Sequence, residues 1–183
     1  MTTITTPADT TPRVWIGCLH CYNCGRLVGE WFDAAGADEI TLAQVHSGAS
    51  RVRQGCEELW VMDHENIPVR GEMSPYDAAR WAETIEEADE HLRPALFAWV
   101  RSGSYTAQGN TDLPVVSDFV DRYCGHHESF RDYLEQLADD TAMFEGVPDL
   151  LESYFDWDRF AADEAHSYAI EGAPDGGVFI FAY

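Results

Sequence analysis

Between about His127 and Phe144 the chain sorts apolar and acidic residues onto opposite sides of a helix, and this pattern constrains the fold more than any other. At roughly 100° per residue, Leu134, Leu137, Thr141 and Phe144 fall within about 40° of Phe130, whereas Glu128, Asp132, Glu135 and Asp139 lie about 140° to 200° round from it. One face must meet a core and the other must stay in water. The alternation of one helix is not yet a site, because a solvated helix face looks the same.

The charge of the whole chain gives the stripe its weight. The 183 residues carry 33 Asp and Glu against 11 cations, all arginine, for a net −22. Residues 111 to 165 hold 15 of the acids and 3 of the arginines, a net −12, so acid is about twice as dense there as elsewhere. Salt adaptation would spread acid evenly over the surface, and a GC-rich coding bias alone would replace Lys by Arg. The uneven distribution favours a functional field over general solvation. Such a charge repels phosphates and anionic headgroups, which excludes nucleic acid and membranes as partners and makes basic proteins the attractive ones.

The 45% apolar content supplies a core, so this is no disordered acidic tail. No apolar run approaches the roughly 18 residues of a membrane span, and MTTITTPADTTP has the character of neither a signal peptide nor an anchor. Five cysteines, three within seven positions, suit a reducing compartment. The expectation is a cytoplasmic protein with a disordered leader over 1–12.

Val14 to Leu19 and Arg26 to Asp33 read as strands around a polar turn at His20 to Gly25, and Glu58 to Asp63 as a third strand. A short helix over 37–47 and the loop Ser47 to Ser50 lie between the second and third. These make an N-terminal β-sheet domain, 13–68. Ser74-Pro75-Tyr76-Asp77 marks a helix start, and Trp81, Ile85, Ala88 and Leu92 share one face of that helix, with Glu83, Glu86, Glu87 and Glu90 outward. Pro94 ends it or begins another that buries Leu96, Phe97 and Val100. With the turn-rich stretch Ser102 to Pro114 this forms a helical domain, 69–113. The rest, 114–183, is an acidic α+β domain: the striped helix, a second helix from Asp149 to about Glu164, and a terminal β-hairpin from Ser167 to Ile170 and Val178 to Tyr183.

Chemistry-bearing motifs are few. Cys18, Cys21 and Cys24 have the spacing to begin a zinc or iron–sulfur site, with Cys56, Cys124 or His126 as a fourth ligand, or are small semi-buried thiols. His126-His127-Glu128 falls where the striped helix should begin and reads as a polar cap. Nucleophile elbows, zinc-protease helices and phosphate-binding glycine loops are absent from the sequence. The expectation is no enzyme, no cofactor and no resident metal.

Charge density decides what the acids can imitate. Duplex DNA carries one charge per ~1.7 Å of axis, so 22 net charges equal roughly 37 Å of duplex. Four carboxylates over the ~16 Å from Glu128 to Asp139 give only one per ~4 Å. No single helix imitates DNA; an array of several does.

The sequence resembles the ArdA antirestriction proteins. The likeness rests on Val14-Trp15-Ile16 leading to Tyr22-Asn23, Gly25-Arg26-Leu27 and Gly29-x-Trp31-Phe32-Asp33, then on Glu57 to Pro68 (EELWVMDHENIP). It continues through Phe130-x-x-Tyr133-x-Glu135-Gln136-Leu137-Ala138-Asp139-Asp140, Val147-Pro148-x-x-Leu151-x-x-Tyr154-Phe155-Asp156, and Val178-Phe179 to Tyr183. The resemblance implies an α+β, elongated protomer of three small domains that forms a homodimer through the third. Its carboxylates would imitate the phosphates of bent DNA and fill the DNA-binding groove of the methyltransferase and specificity subunits of type I restriction-modification enzymes. The family's antirestriction motif falls on Phe130 to Met143. The phosphate-imitating acids expected are Asp132, Glu135, Asp139 and Asp140, with Glu83, Glu87 and Glu90, and Asp149, Glu152, Asp156 and Asp158. Cys21 and Cys24 depart from the family pattern. The alternatives are a metal-binding or redox protein built on Cys18, Cys21 and Cys24, and a generic acidic chaperone of basic proteins.

Overall fold

A computed structural model describes residues 10–47 and 51–183. The expected leader lies outside the described residues up to position 9, as does the expected loop at 48–50. Pro12 is already buried, its carbonyl accepting from the Ala34 N–H at 3.0 Å. The chain is α+β and has two compact units, one ending at Arg93 and one beginning at Pro94. Among the described residues no helix is long and apolar enough to cross a membrane.

The first unit is built on an antiparallel sheet of order β2-β1-β3, from β1 (Arg13–Cys18), β2 (Gly29–Asp33) and β3 (Leu59–Glu65). Val14 and Ile16 on the central strand are fully buried with Val61. Trp15 points the other way and lies across Gly17 and Gly29, which pair with each other. A Cβ on Gly29 would stand 2.5 Å from both the Trp15 ring and the Ile16 carbonyl, so only glycine fits.

The polar turn expected after β1 is instead a helical turn, α1 (Leu19–Asn23). Its cause is Cys21, which is buried, and a helical turn brings positions three apart to one side, here Cys18 and Cys21. The single helix expected over 37–47 is also corrected. A 3-10 turn (Ala37–Glu39) is followed by a separate α2 (Leu42–Val45), because Thr41 starts a new helix with a capping box: its hydroxyl accepts from the Gln44 N–H, while Gln44 Oε1 accepts from the Thr41 N–H.

Helix α3 (Pro75–Glu86) begins as the sequence signals. Ser74 Oγ accepts from the Asp77 N–H at 3.1 Å and donates to the Asp77 carboxylate at 2.6 Å. Ala78, Trp81, Ala82 and Ile85 are buried on its inner face, and it packs on β3 and on the 3-10 turn. A further 3-10 turn (Glu90–Leu92) follows.

The second unit takes in α4 (Arg93–Ser102) from Pro94 onward, and this helix buries Leu96, Phe97, Trp99 and Val100. The turn-rich stretch after it closes on itself, the Val115 N–H donating to the Thr106 carbonyl and Gln108 Nε2 to that of Pro114. Next come α5 (Val116–Arg122), β4 (Tyr123–His127), α6 (Phe130–Asp140), α7 (Asp149–Glu152), α8 (Trp157–Glu164), β5 (Tyr168–Gly172) and β6 (Val178–Ala182). The expected terminal hairpin is present as β5 and β6, and β4 completes the sheet in the order β4-β6-β5.

Strand β6 is thus central and covered on both faces. On one, Phe181 meets Trp99 of α4, Phe119 of α5 and Tyr123, with ring centroids 5.6 to 6.4 Å apart. On the other, Tyr133 of α6 contacts His127 of β4 and Tyr168 of β5 edge to face. Register agrees, since His127 and Tyr168 pair with Val178 and Ala182, which share a face of β6. Helix α6 is therefore a lid on the sheet, apolar side down.

Candidate functional site

The outer side of α6 is the candidate site. Ser129 caps the helix, its hydroxyl accepting from the Asp132 N–H at 3.2 Å and donating to the Asp132 carboxylate. Leu134 and Ala138 are buried, while Asp132, Asp139 and Asp140 are exposed and Glu135 is half-exposed. The helix is shorter than the expected 127–144. It cannot begin earlier because His126 and His127, read as a cap, belong to β4; His126 Nε2 pairs with the Gly176 carbonyl at 2.7 Å.

It ends at Asp140 in a reversal of two hydrogen bonds. The Met143 N–H donates to the Ala138 carbonyl at 2.8 Å and the Ala142 N–H to that of Asp139 at 3.1 Å. Ala142 takes φ 51°, the left-handed conformation that this ending demands and that glycine usually supplies. Phe144, now past the helix, joins Phe155, Trp157 and Phe160 in a cluster of rings 4.8 to 6.1 Å apart.

That cluster also breaks the single helix expected from Asp149 to Glu164. Positions 155 and 157 fall on different sides of a helix, yet their rings touch at 4.8 Å, so the backbone between them is not helical. Asp156 then caps α8, accepting from the Arg159 N–H at 3.0 Å. Asp149, Glu152, Asp156 and Asp158 are all exposed. In the N-terminal unit Glu83, Glu87 and Glu90 are exposed along α3 and the turn after it. Ten of the eleven expected acids are thus exposed and the eleventh, Glu135, half-exposed.

The structure also separates these acids by what they touch. Arg131 Nε donates to Glu135 at 2.7 Å and its Nη1 to Asp158 at 3.1 Å. The two carboxylates hold the guanidinium pKa above its usual range, Glu135 by its hydrogen bond first. Asp132 accepts from the capping Ser129 hydroxyl and Asp156 caps α8, whereas Asp139 and Asp140 have no such task. Asp118, outside the expected set, is a structural acid: it accepts from the Thr106 hydroxyl and from Arg122 Nε at 3.0 Å. Those partners, Thr106 first, lower its pKa. Burial raises the Tyr133 hydroxyl far above the usual range, helped by its 3.4 Å contact with the Tyr168 hydroxyl.

The cysteines resolve differently from their spacing. Cys18 and Cys21 are buried with Cys56 and with His46, the residue that ends α2, and one ligand atom from each lies within 4.8 Å of all the others. Cys24 is exposed, 3.8 Å from His20 Nε2, and stands outside the group. Cys124 and His126 belong to β4 of the other unit. No spacing in the sequence ties His46 to the Cys-x-x-Cys pair, so its place beside them shows only in the fold. Burial pushes the Cys21 thiol up to about 11, followed by its neighbours Cys18 and Cys56. A backbone hydrogen bond at Arg53 leads the causes that lower Cys56.

A family model described as antirestriction protein (ArdA) matches residues 14–179. A search of curated proteins gives no match.

Proposed function

From the premise that this chain belongs to the ArdA antirestriction family, we propose that it acts as a DNA mimic, seating its carboxylates in the DNA-binding groove of a type I restriction-modification enzyme. Antirestriction is the family's function; the mode and the target are our reading. The carrying observation is the exposure of the acids on α6, α7 and α8, with the apolar side of α6 spent on the sheet. A mimic must hold its charges at fixed places; the Ser129 cap fixes the start of α6, and the ring cluster and the Arg131 bridge tie α8 to α6 and the turn after it. Lys and Arg that bind phosphates in the target would bind Asp132, Glu135, Asp139, Asp140, Asp149, Glu152, Asp156 and Asp158, with Glu83, Glu87 and Glu90 adding to the field. Binding releases counterions from both surfaces, as DNA binding does.

The protein would work as a cytoplasmic homodimer. Leu150, Leu151 and Tyr154 are 69%, 62% and 79% exposed, and such an apolar patch marks an interaction surface. The terminal strand is not part of that surface, since β6 lies in the middle of its own sheet. Sedimentation at micromolar concentration should give a dimer, and substituting Leu150 and Leu151 by Ser should shift it to monomer.

Competition decides the main reading. Increasing amounts of the protein should displace a labelled duplex carrying the recognition site from a purified type I methyltransferase. They should leave DNA complexes of histone-like proteins intact. Failure to displace the duplex at any concentration up to the micromolar range would end the proposal; equal displacement of both would make the protein an acidic chaperone of basic proteins instead.

A further inference from the structure

We propose that Cys18, Cys21, His46 and Cys56 bind one structural zinc ion in the N-terminal unit. All four are buried and their ligand atoms lie within 4.8 Å of one another. Four donors so close enclose the volume of a single ion. The Sγ atoms of Cys21 and Cys56 are 3.8 Å apart, far too long for a disulfide near 2.05 Å. Two thiolates on a tetrahedral zinc with bonds of ~2.3 Å stand ~3.8 Å apart. Every cysteine is a free thiol, so none is taken by a disulfide.

His46 supplies the second, independent observation. It is 6% exposed, and neither ring nitrogen has a hydrogen-bond partner among the described residues. A neutral imidazole carries one N–H and one lone pair, and a protein seldom buries both unanswered. Ligation answers the lone pair.

The local backbone has the shape that such a site requires. Cys18 closes β1 and Cys21 sits on α1, the one helical turn that turns both sulfurs the same way. Cys56 ends a turn in which its N–H donates to the Arg53 carbonyl at 3.0 Å and Gly55 takes φ 93°. A Cβ on Gly55 would stand 2.9 Å from the His20 ring, which would have to shift to admit it. Arg26 Nη2 donates to Cys21 Sγ at 3.5 Å. Three thiolates, one neutral imidazole and Zn²⁺ sum to −1, and that guanidinium is the cation beside them. On binding, each thiol gives its proton to solvent and its sulfur lone pair to the metal; nothing is oxidised or reduced. A soft S₃N tetrahedron selects zinc over magnesium, calcium or manganese.

The ion would tie the end of β1 to the end of α2 and to the approach to β3, clamping the sheet at one end. This site shares no residue with the acidic surface and owes nothing to the reading above.

Wild-type protein, purified reduced and without chelator from zinc-supplemented cells, tests it by elemental analysis. About one zinc per chain is expected. Metal-free protein titrated with Co²⁺ should develop sulfur-to-cobalt charge-transfer and tetrahedral d–d absorption, complete at one equivalent and abolished by zinc. Cys24→Ser and Cys124→Ser should keep the metal; Cys56→Ser and His46→Ala should lose it. If those last two do not fold, the wild-type cobalt spectrum decides alone. Zinc below about one-tenth per chain together with no thiolate–cobalt absorption would overturn the proposal, as would loss of metal in Cys24→Ser.

Discussion

Arg131 on α6 reaches Asp158 on α8, its Nη1 donating to the carboxylate at 3.1 Å across 27 positions of sequence. The same guanidinium holds Glu135, so one cation answers an acid of the stripe and an acid of α8. The acids are therefore unequal: Glu135 and Asp158 are partly neutralised in place, and Asp139 and Asp140 are not. The double variant Asp139→Asn/Asp140→Asn should weaken inhibition several-fold, while Glu135→Gln/Asp158→Asn, removing the same formal charge, should weaken it less. Titrating inhibition of a type I methyltransferase with both variants checks the order. Any one of the four substitutions alone should change inhibition little, because the field is a sum.

Salt should act on the protein and on its complex in opposite directions. Within the chain, 22 uncompensated negative charges repel one another, and salt shortens the reach of that repulsion from about 30 Å at 0.01 M to about 8 Å at 0.15 M. The melting temperature should rise with salt over this range. Binding to the enzyme should fall steeply, since it draws on the same unscreened charge. Thermal melts and competition titrations in one set of buffers compare the two slopes; inhibition independent of salt would contradict the mimicry reading.

Ala142 occupies a left-handed position that costs an L-residue roughly 1–2 kcal/mol. Gly at this place in the helix ending has no Cβ to strain. Ala142→Gly should therefore stabilise the protein by about 0.5–1 kcal/mol in urea denaturation, with inhibition unchanged. The gain is reduced by glycine's greater freedom in the unfolded chain.

Asp118 joins the closing turn of the Ser102 to Pro114 stretch to α5 through Thr106 and Arg122, and Arg122 continues to the Ala182 carbonyl at 3.3 Å. Its folded-state pKa lies below the ordinary value near 3.9, so its contribution is complete above that pH and is lost as the pH falls through the lowered value. Asp118→Asn should cost about 1–2 kcal/mol at pH 7. The difference from wild type should shrink below about pH 4. Urea midpoints at several pH values measure both.

Elements whose cause is local were legible. Ser74, Pro75 and Asp77 announce α3 through contacts three residues apart, and the stripe of α6 follows from helical period alone. Strand β4 was not. Gly125 breaks its alternation with a bulge at φ 116°, and its partner lies more than fifty positions on, at Val178 to Phe181. The break between α7 and α8 was hidden too, because it is set by Phe155 and Trp157 meeting Phe144, which lies outside both helices. The exposed acids could be read because exposure follows amphipathic period. Arg131's hold on Asp158 could not, as the two sit on different helices. In the same way Cys18 and Cys21 are visible as a pair, but only the sheet's topology brings His46 and Cys56 to them.

The place of β6 between β4 and β5 bears on how fast the C-terminal unit folds. Pairing β4 with β6 closes a loop that contains α6, α7 and α8 together, the most acidic part of the chain. Closing any loop of that length costs chain entropy; closing this one also gathers like charges before the buried rings can reward it. The barrier is thus partly electrostatic. Added salt should quicken refolding of this unit more than it slows unfolding, so that the charge proposed to imitate DNA would also set the pace at which the unit assembles.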